Sequence, residues 1–141
     1  MSVIRDGNVL DGSAVSDRLR SELGAPVETL ADAGVEPGLA TVLMSTDPAS
    51  ETYVSMKQQA CADIGIESYH RELDTDAPAE NLFETVERLN ADPEVHGILV
   101  QMPVPDHVDG RRVLRRIDPA KDVDWFHPEN VGRLVAGDPR F

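Results

Sequence analysis

Between Ser13 and Ala33, apolar residues recur at Val15, Leu19, Leu23, Val27 and Leu30, three or four positions apart. That period predicts an amphipathic helix, interrupted near Gly24-Ala25-Pro26 and ended by Gly34 and Pro37. Leu39 to Met44 is a short continuous apolar run of the kind found in a strand buried on both faces of a parallel sheet. Asp47 followed by Pro48 predicts a helix start, a capping acceptor before proline at the first helical position, and Gly65 its end. Ile66 to Leu73 reads as a second strand, Ala79 to Asn90 as a third helix, Gly97 to Met102 as a third strand closed by Pro103, and Val108 to Ile117 as a fourth helix. Strands separated by helices of this length predict βαβ units with right-handed crossovers. The expected fold is α/β, a three-layer α/β/α arrangement around a mainly parallel sheet. No internal repeat, low-complexity stretch or interior linker interrupts it.

Composition narrows the class. A chain of 141 residues with 40% hydrophobic, 28% charged and 4% aromatic residues fits one globular domain. Apolar runs such as Ile98-Leu99-Val100 are far shorter than the roughly 18 residues a spanning helix needs, and no basic-then-apolar leader precedes Val3, so a soluble cytoplasmic protein is expected. The single cysteine, Cys61, excludes an internal disulfide and a CxxC-based zinc site. Charge is the most skewed feature: 26 Asp and Glu against 13 Lys and Arg give a net charge of −13, which argues against nucleic acid and anionic membranes as partners. Lys57 and Lys121 are the only lysines. Acid-rich, lysine-poor surfaces resemble those of proteins from salt-loving organisms; an ordinary acidic cytosolic protein is the other reading of the same numbers.

Parallel α/β sheets bind ligands beyond the carboxyl ends of their strands. The first strand feeds the helix carrying Ser50, Tyr53 and Lys57, and the third ends at Gln101, so these residues approach one sheet edge. On a helical period Tyr53, Lys57, Ala60 and Ile64 share a narrow stripe. A lysine held there partly out of water can serve as a general base or proton shuttle; the same spacing also suits a lysine snorkelling to solvent. Tyr53, four residues earlier, suits stacking on a flat ligand or a half-buried core position. The Gln101 amide needs partners in a neighbouring loop or in a ligand. In the segment Asp118 to Leu134, Asp122 and Asp124 are two apart and point opposite ways if extended, so one can cap structure while the other faces a pocket. A carboxylate there matches a ligand edge with two parallel N–H donors.

Other signals are weak. No GxG is present, hence no dinucleotide fingerprint. His70, His96, His107 and His127 lack metal-ligand spacing and no metal site is expected. Arg111, Arg112, Arg115 and Arg116 form a basic helical face read as balancing nearby acids.

Together, Tyr53-Val54-Ser55-Met56-Lys57 with Cys61 and Gly65, the run Gly97-Ile98-Leu99-Val100-Gln101-Met102-Pro103-Val104-Pro105, and Lys121-Asp122-Val123-Asp124 with Phe126 to Leu134 resemble three ordered motifs of the bifunctional methylenetetrahydrofolate dehydrogenase/methenyltetrahydrofolate cyclohydrolase family. The resemblance implies that Lys57 is the catalytic lysine that helps activate water, that Gln101 tunes and orients it, that Tyr53 stacks on the folate, that Asp124 anchors the pterin edge and that Ser50 lies near the same site. It implies oxidation of 5,10-methylenetetrahydrofolate with NADP or NAD, hydrolysis of the methenyl product to 10-formyltetrahydrofolate, and a homodimer for the full-length enzyme. Two departures stand out. Trp125 replaces the family's glycine, and the chain stops at Phe141, about where the link to the family's Rossmann-type cofactor domain begins. Residues 1–141 are thus expected to be the folate-binding catalytic domain, with no cofactor bound by this chain itself; the other reading is a non-catalytic folate-binding module left by truncation.

Overall fold

A computed structural model describes residues 4–5 and 9–140; Val3 and Phe141, which bear on the reading of the termini, lie outside them. A short antiparallel pair, β1 (Ile4–Arg5) and β2 (Val9–Leu10), precedes α1 (Gly12–Asp32). Then follow β3 (Gly38–Leu43), α2 (Pro48–Ile64), β4 (Glu67–Glu72), α3 (Ala79–Ala91), β5 (Gly97–Val100), α4 (Gly110–Leu114) and α5 (Pro128–Ala136). The three strands β4-β3-β5 form an all-parallel sheet in that order, with Ala40 level with Tyr69 and Ile98. The expected α/β class is therefore the observed one.

Alternation along β3 sends Ala40, Val42 and Met44 to one face of the sheet, where they join Ile98, Val100, Leu82, Val86, Leu89, Val113 and Ile117 in the main apolar cluster under α3 and α4. Burying each of the Val, Leu, Ile and Met side chains among these is worth about 1.5–3 kcal/mol, which makes this face the principal anchor of the sheet. The other face lies under α2 and carries polar groups as well: buried Thr41 bonds the His70 ring at 3.1 Å, and the buried Cys61 thiol is raised above its ordinary value by loss of hydration, an effect opposed by a hydrogen bond with Ser68. Helix α1 packs against α2, reaching Gly65 through Val27, its one buried residue.

Three expectations about elements change. The interruption near Gly24-Ala25-Pro26 does not occur, because Pro26 removes only one N–H from an exposed 21-residue helix and Thr29 Oγ1 donates back to Ala25 O at 2.9 Å. The helix expected over Val108 to Ile117 spans only Gly110–Leu114, starting after Asp109, whose carboxylate accepts the Arg111 and Arg112 N–H groups. A helix unanticipated from the pattern, α5, opens at His127, with Pro128 in its first turn, and stops at Gly137 in the left-handed conformation. Around α4, the arginines split. Arg112 and Arg116 stack on Phe83 with guanidinium carbons 4.9 and 4.8 Å from the ring centroid, and Arg116 also pairs with Glu87. Only Arg116 of the four therefore meets an acid among the described residues.

Among the described residues no helix is long and apolar enough to cross a membrane. The histidines serve local structure: His96 Nδ1 accepts the Gly38 N–H, His107 contacts Ala77 O, and His127 Nδ1 accepts the Glu129 N–H at the start of α5.

Candidate functional site

The site is built at the carboxyl edge of the sheet, where β3 and β5 release the chain. After β3, Ser45 and Asp47 organise the turn into α2: Asp47 N–H donates to Ser45 Oγ and Asp47 Oδ1 accepts from Ala49 N–H at 3.0 Å. Proline in the first turn fixes the backbone there for helix, so α2 begins at a defined angle to the sheet. Its deepest residues are Ser50, Val54 and Cys61. The stripe drawn through Tyr53, Lys57, Ala60 and Ile64 is displaced by one position from this buried line: Lys57 is half-buried on its margin, and Tyr53 is 57% exposed, which excludes a core role for its ring.

Lys57 and Gln101 meet across the edge. Lys57 Nζ donates to Gln101 Oε1 at 3.1 Å, while Gln101 Nε2 donates to Met102 O at 3.0 Å and its backbone N–H to Val42 O at 2.9 Å. Every one of these bonds constrains the amide, so its oxygen is presented to the lysine and its nitrogen is held by the backbone. The following Met102–Pro103 peptide is cis.

The third arm is the segment around Asp122. It runs parallel beside β5, with a bridge between Ile98 and Asp122 and a hydrogen bond from Ile98 N–H to Lys121 O at 2.7 Å. Gly97 permits this approach, since a Cβ there would sit 2.6 Å from a Val123 methyl carbon. Lys121 turns back into the protein, donating to the carbonyls of Leu89, Asn90 and Asp92 at 3.2, 2.8 and 2.8 Å. Asp122, 1% exposed, accepts the Phe126 and His127 N–H groups and the Asn130 side-chain amide. Neither role was evident in the sequence; the signal for Asp122 was its spacing from Asp124, which let one of the pair cap structure.

Asp124 stands apart from these. Although the residue as a whole is exposed, its carboxyl is raised above the ordinary carboxylate value, chiefly because neighbouring atoms strip water from it; Lys57 pulls it down and Asp122 pushes it up. Lys57 and Asp124 are therefore electrostatic neighbours, and the edge gathers a lysine side chain, a fixed amide, a poorly hydrated carboxyl group and an open tyrosine ring. Ser50 is buried one helical turn before Tyr53 and Val54. Among the described residues no group of three or more His, Cys, Asp or Glu side chains is placed to hold a metal ion. Such an edge can bind a flat, nitrogen-rich ligand and deliver or remove a proton beside it.

Comparison with known proteins bears on the same residues. Residues 10–124 match the family model described as tetrahydrofolate dehydrogenase/cyclohydrolase, catalytic domain. The chain is 63% identical over 133 residues to the bifunctional protein FolD of Natronomonas pharaonis, covering 94% of this chain and 45% of that protein. Among solved structures it resembles the bifunctional FolD methylenetetrahydrofolate dehydrogenase/cyclohydrolase from Campylobacter jejuni, with a TM-score of 0.88, 42% identity and coverage of 90% of this chain and 45% of that one. It also resembles the Trypanosoma brucei methylenetetrahydrofolate dehydrogenase-cyclohydrolase complexed with NADP cofactor and inhibitor, with a TM-score of 0.86, 38% identity and coverage of 89% and 43%. The chain thus spans less than half the length of the curated relative and the solved chains it matches.

Proposed function

The chain belongs to the tetrahydrofolate dehydrogenase/cyclohydrolase family, and from that premise we propose that residues 1–141 form the folate-binding catalytic domain of a bifunctional one-carbon enzyme. The reactions are oxidation of 5,10-methylenetetrahydrofolate to the methenyl form and its hydrolysis to 10-formyltetrahydrofolate. The observation that carries the reading is the 3.1 Å contact between Lys57 Nζ and Gln101 Oε1 beside Asp124. In the hydrolysis, a water oxygen bonds to the cationic methenyl carbon and loses one proton to the neutral Lys57 amine, leaving a carbinol. The bond from that carbon to N5 then breaks as the carbinol O–H gives up its proton and N5 takes one up, which leaves the formyl C=O on N10 and one proton on Lys57. Gln101, fixed at its nitrogen end, holds the lysine in place; Asp124 accepts the paired N–H donors of the pterin edge; Tyr53 stacks on the flat substrate; Ser50 lies behind them.

The nicotinamide cofactor does not fit this chain's own strand-to-helix turns. The turn after β3 carries Asp47 at the helix start, and the connection from β4 to α3 carries Asp74 and Asp76, so carboxylates stand where a pyrophosphate needs free backbone N–H groups and glycines. Cofactor binding belongs in this reading to a further domain of the full-length protein, which we place as a homodimer in the cytoplasm, supplying one-carbon units to purine biosynthesis. The acid-rich surface and the halophilic archaeal relatives support a salt-adapted protein.

Lys57→Met tests the assignment: hydrolysis of methenyltetrahydrofolate by the full-length enzyme should be abolished while folate affinity is mostly retained, because the substitution removes the base and keeps the stem's packing. Near-unchanged turnover would overturn the role of Lys57. Trp125, at the position where the family resemblance places a glycine, favours a second reading, a folate-binding module without catalysis. Binding by the unsubstituted chain without any turnover selects that reading.

A further inference from the structure

The loop that carries Asp124 is wrapped around one buried carboxylate, and we propose that Asp122 is the positioning residue of the site, clamping both sides of Trp125 so that Asp124 is held beside Lys57. This rests on the folate reading above for what Asp124 does, but not for how the loop is held.

Trp125 has a φ of 60°, and it is the one residue other than glycine with a positive φ among those described. A large L side chain disfavours this region, so it persists only where its surroundings over-determine it. One residue bonds the backbone on both sides of it. Trp125 N–H donates to Asp122 O at 3.4 Å, and on the other side of the same Cα the Phe126 and His127 N–H groups donate to Asp122 Oδ1 and Oδ2 at 3.4 and 2.8 Å. The backbone leaves Asp122, passes through Asp124 and returns to Asp122 within five residues. The carboxylate has no ion pair among the described residues, and the adjacent Lys121 ammonium is turned to the carbonyls at the end of α3. What stabilises the charge is the amino end of α5 and the Asn130 amide, at 3.0 Å. Asn130 is itself fully buried; its other amide hydrogen goes to Pro119 O at 2.9 Å, while its Oδ1 has no hydrogen-bond partner. An acceptor left unsatisfied in the core shows that the nitrogen end of Asn130 fixes its placement, and that end grips Asp122.

A double-substitution cycle on this chain separates positioning from general stability. Asp122→Asn keeps the size but places an N–H₂ group among donors, so residue 125 is released from its clamp. Affinity for 5-formyltetrahydrofolate, measured by calorimetry, should fall about tenfold for Asp122→Asn in the native background, but no more than about twofold when Trp125→Gly is also present, because glycine enters the left-handed region without steric penalty. Equal losses in both backgrounds would overturn the proposal. Should Asp122→Asn fail to fold, Asn130→Ser should give a smaller loss that Trp125→Gly again offsets. The three-bond amide coupling of residue 125, read by NMR, decides the matter without any ligand: it should leave the left-handed value in Asp122→Asn, and retention of that value would refute the clamp. Absence of folate binding by every chain, with the coupling moved as expected, would sink the folate reading alone.

Discussion

Replacing Lys121 by methionine should destabilise the domain more than any other single substitution of a half-buried charged side chain described above. The ammonium lies against three carbonyls, at 3.2, 2.8 and 2.8 Å, at the carboxyl end of α3, where unpaired acceptors and the helix dipole both favour a cation. A hydrogen bond to a charged group contributes about 1.5–3 kcal/mol net, so simple addition would exceed 4 kcal/mol. Addition overstates the loss, because one ammonium is desolvated once for all three bonds and water can reach some of the freed carbonyls. Methionine retains most of the stem's packing, leaving about 2–4 kcal/mol for the lost polar contacts. For a domain of this size that corresponds to a Tm lower by about 4–16 °C. Differential scanning calorimetry or urea unfolding of Lys121→Met measures it directly. Lys121→Arg should recover only part of the loss, since a planar guanidinium is a poor substitute for a compact ammonium at three converging carbonyls. A Tm within about 1 °C of the parent for the methionine variant would show that water replaces the ammonium without penalty and would refute the reasoning.

Other outcomes follow from the charge pattern. Because folding raises the Asp124 carboxyl above its unfolded value, that group's contribution favours the fold only while it is protonated and is lost as the pH rises through its folded value. Asp124→Asn should therefore be more stable than the parent at neutral pH, with the advantage shrinking as the pH falls through the raised folded value to the ordinary carboxylate range; urea unfolding at neutral pH and below that range checks this, and a constant difference would count against it. With a net charge of −13, the domain should melt at higher temperature in molar KCl than at low salt, and a flat or falling trend would oppose the salt-adapted reading. Fluorescence titration of this chain with NADP should show no saturable binding, whereas saturation would mean that its acid-bearing strand-to-helix turns accept a pyrophosphate after all.

The elements most legible in the sequence were those whose signal is local. The apolar runs at Leu39 to Met44 and Gly97 to Met102, the latter two residues longer than β5 itself, and the Asp47-Pro48 start with the Gly65 stop, identified β3, β5 and α2 and thereby the sheet edge that gathers Lys57 and Gln101. What escaped depends on partners far along the chain. The exceptions are α1, continuous through Pro26 with a local Thr29 bond to Ala25, and α4, which starts only after its Asp109 cap. The role of Lys121 requires knowing that the end of α3 lies about thirty residues back in sequence but within hydrogen-bond reach. Asp122 could be recognised only as one of two candidates until the fold showed which carboxylate turned inward. Even α5 had a readable start, His127 before Pro128, obscured by the mixed charge around it.

The unequal faces of the sheet bear on how the molecule opens. Under α3 and α4 the strands are sealed by a continuous apolar cluster, whereas the other face carries Thr41, His70 and Ser68, which meets Cys61 of α2, and α1 is secured by a single buried valine. If partial unfolding follows the less apolar face, it separates the α1–α2 side from the strands while the α3 side stays shut. Amide protons of α2 should then exchange with solvent through a smaller opening than those of β3 or β5. On the proposed reading, a ligand between Lys57 and Gln101 would tie the two sides together, and occupancy of the site should slow exchange along the whole of α2.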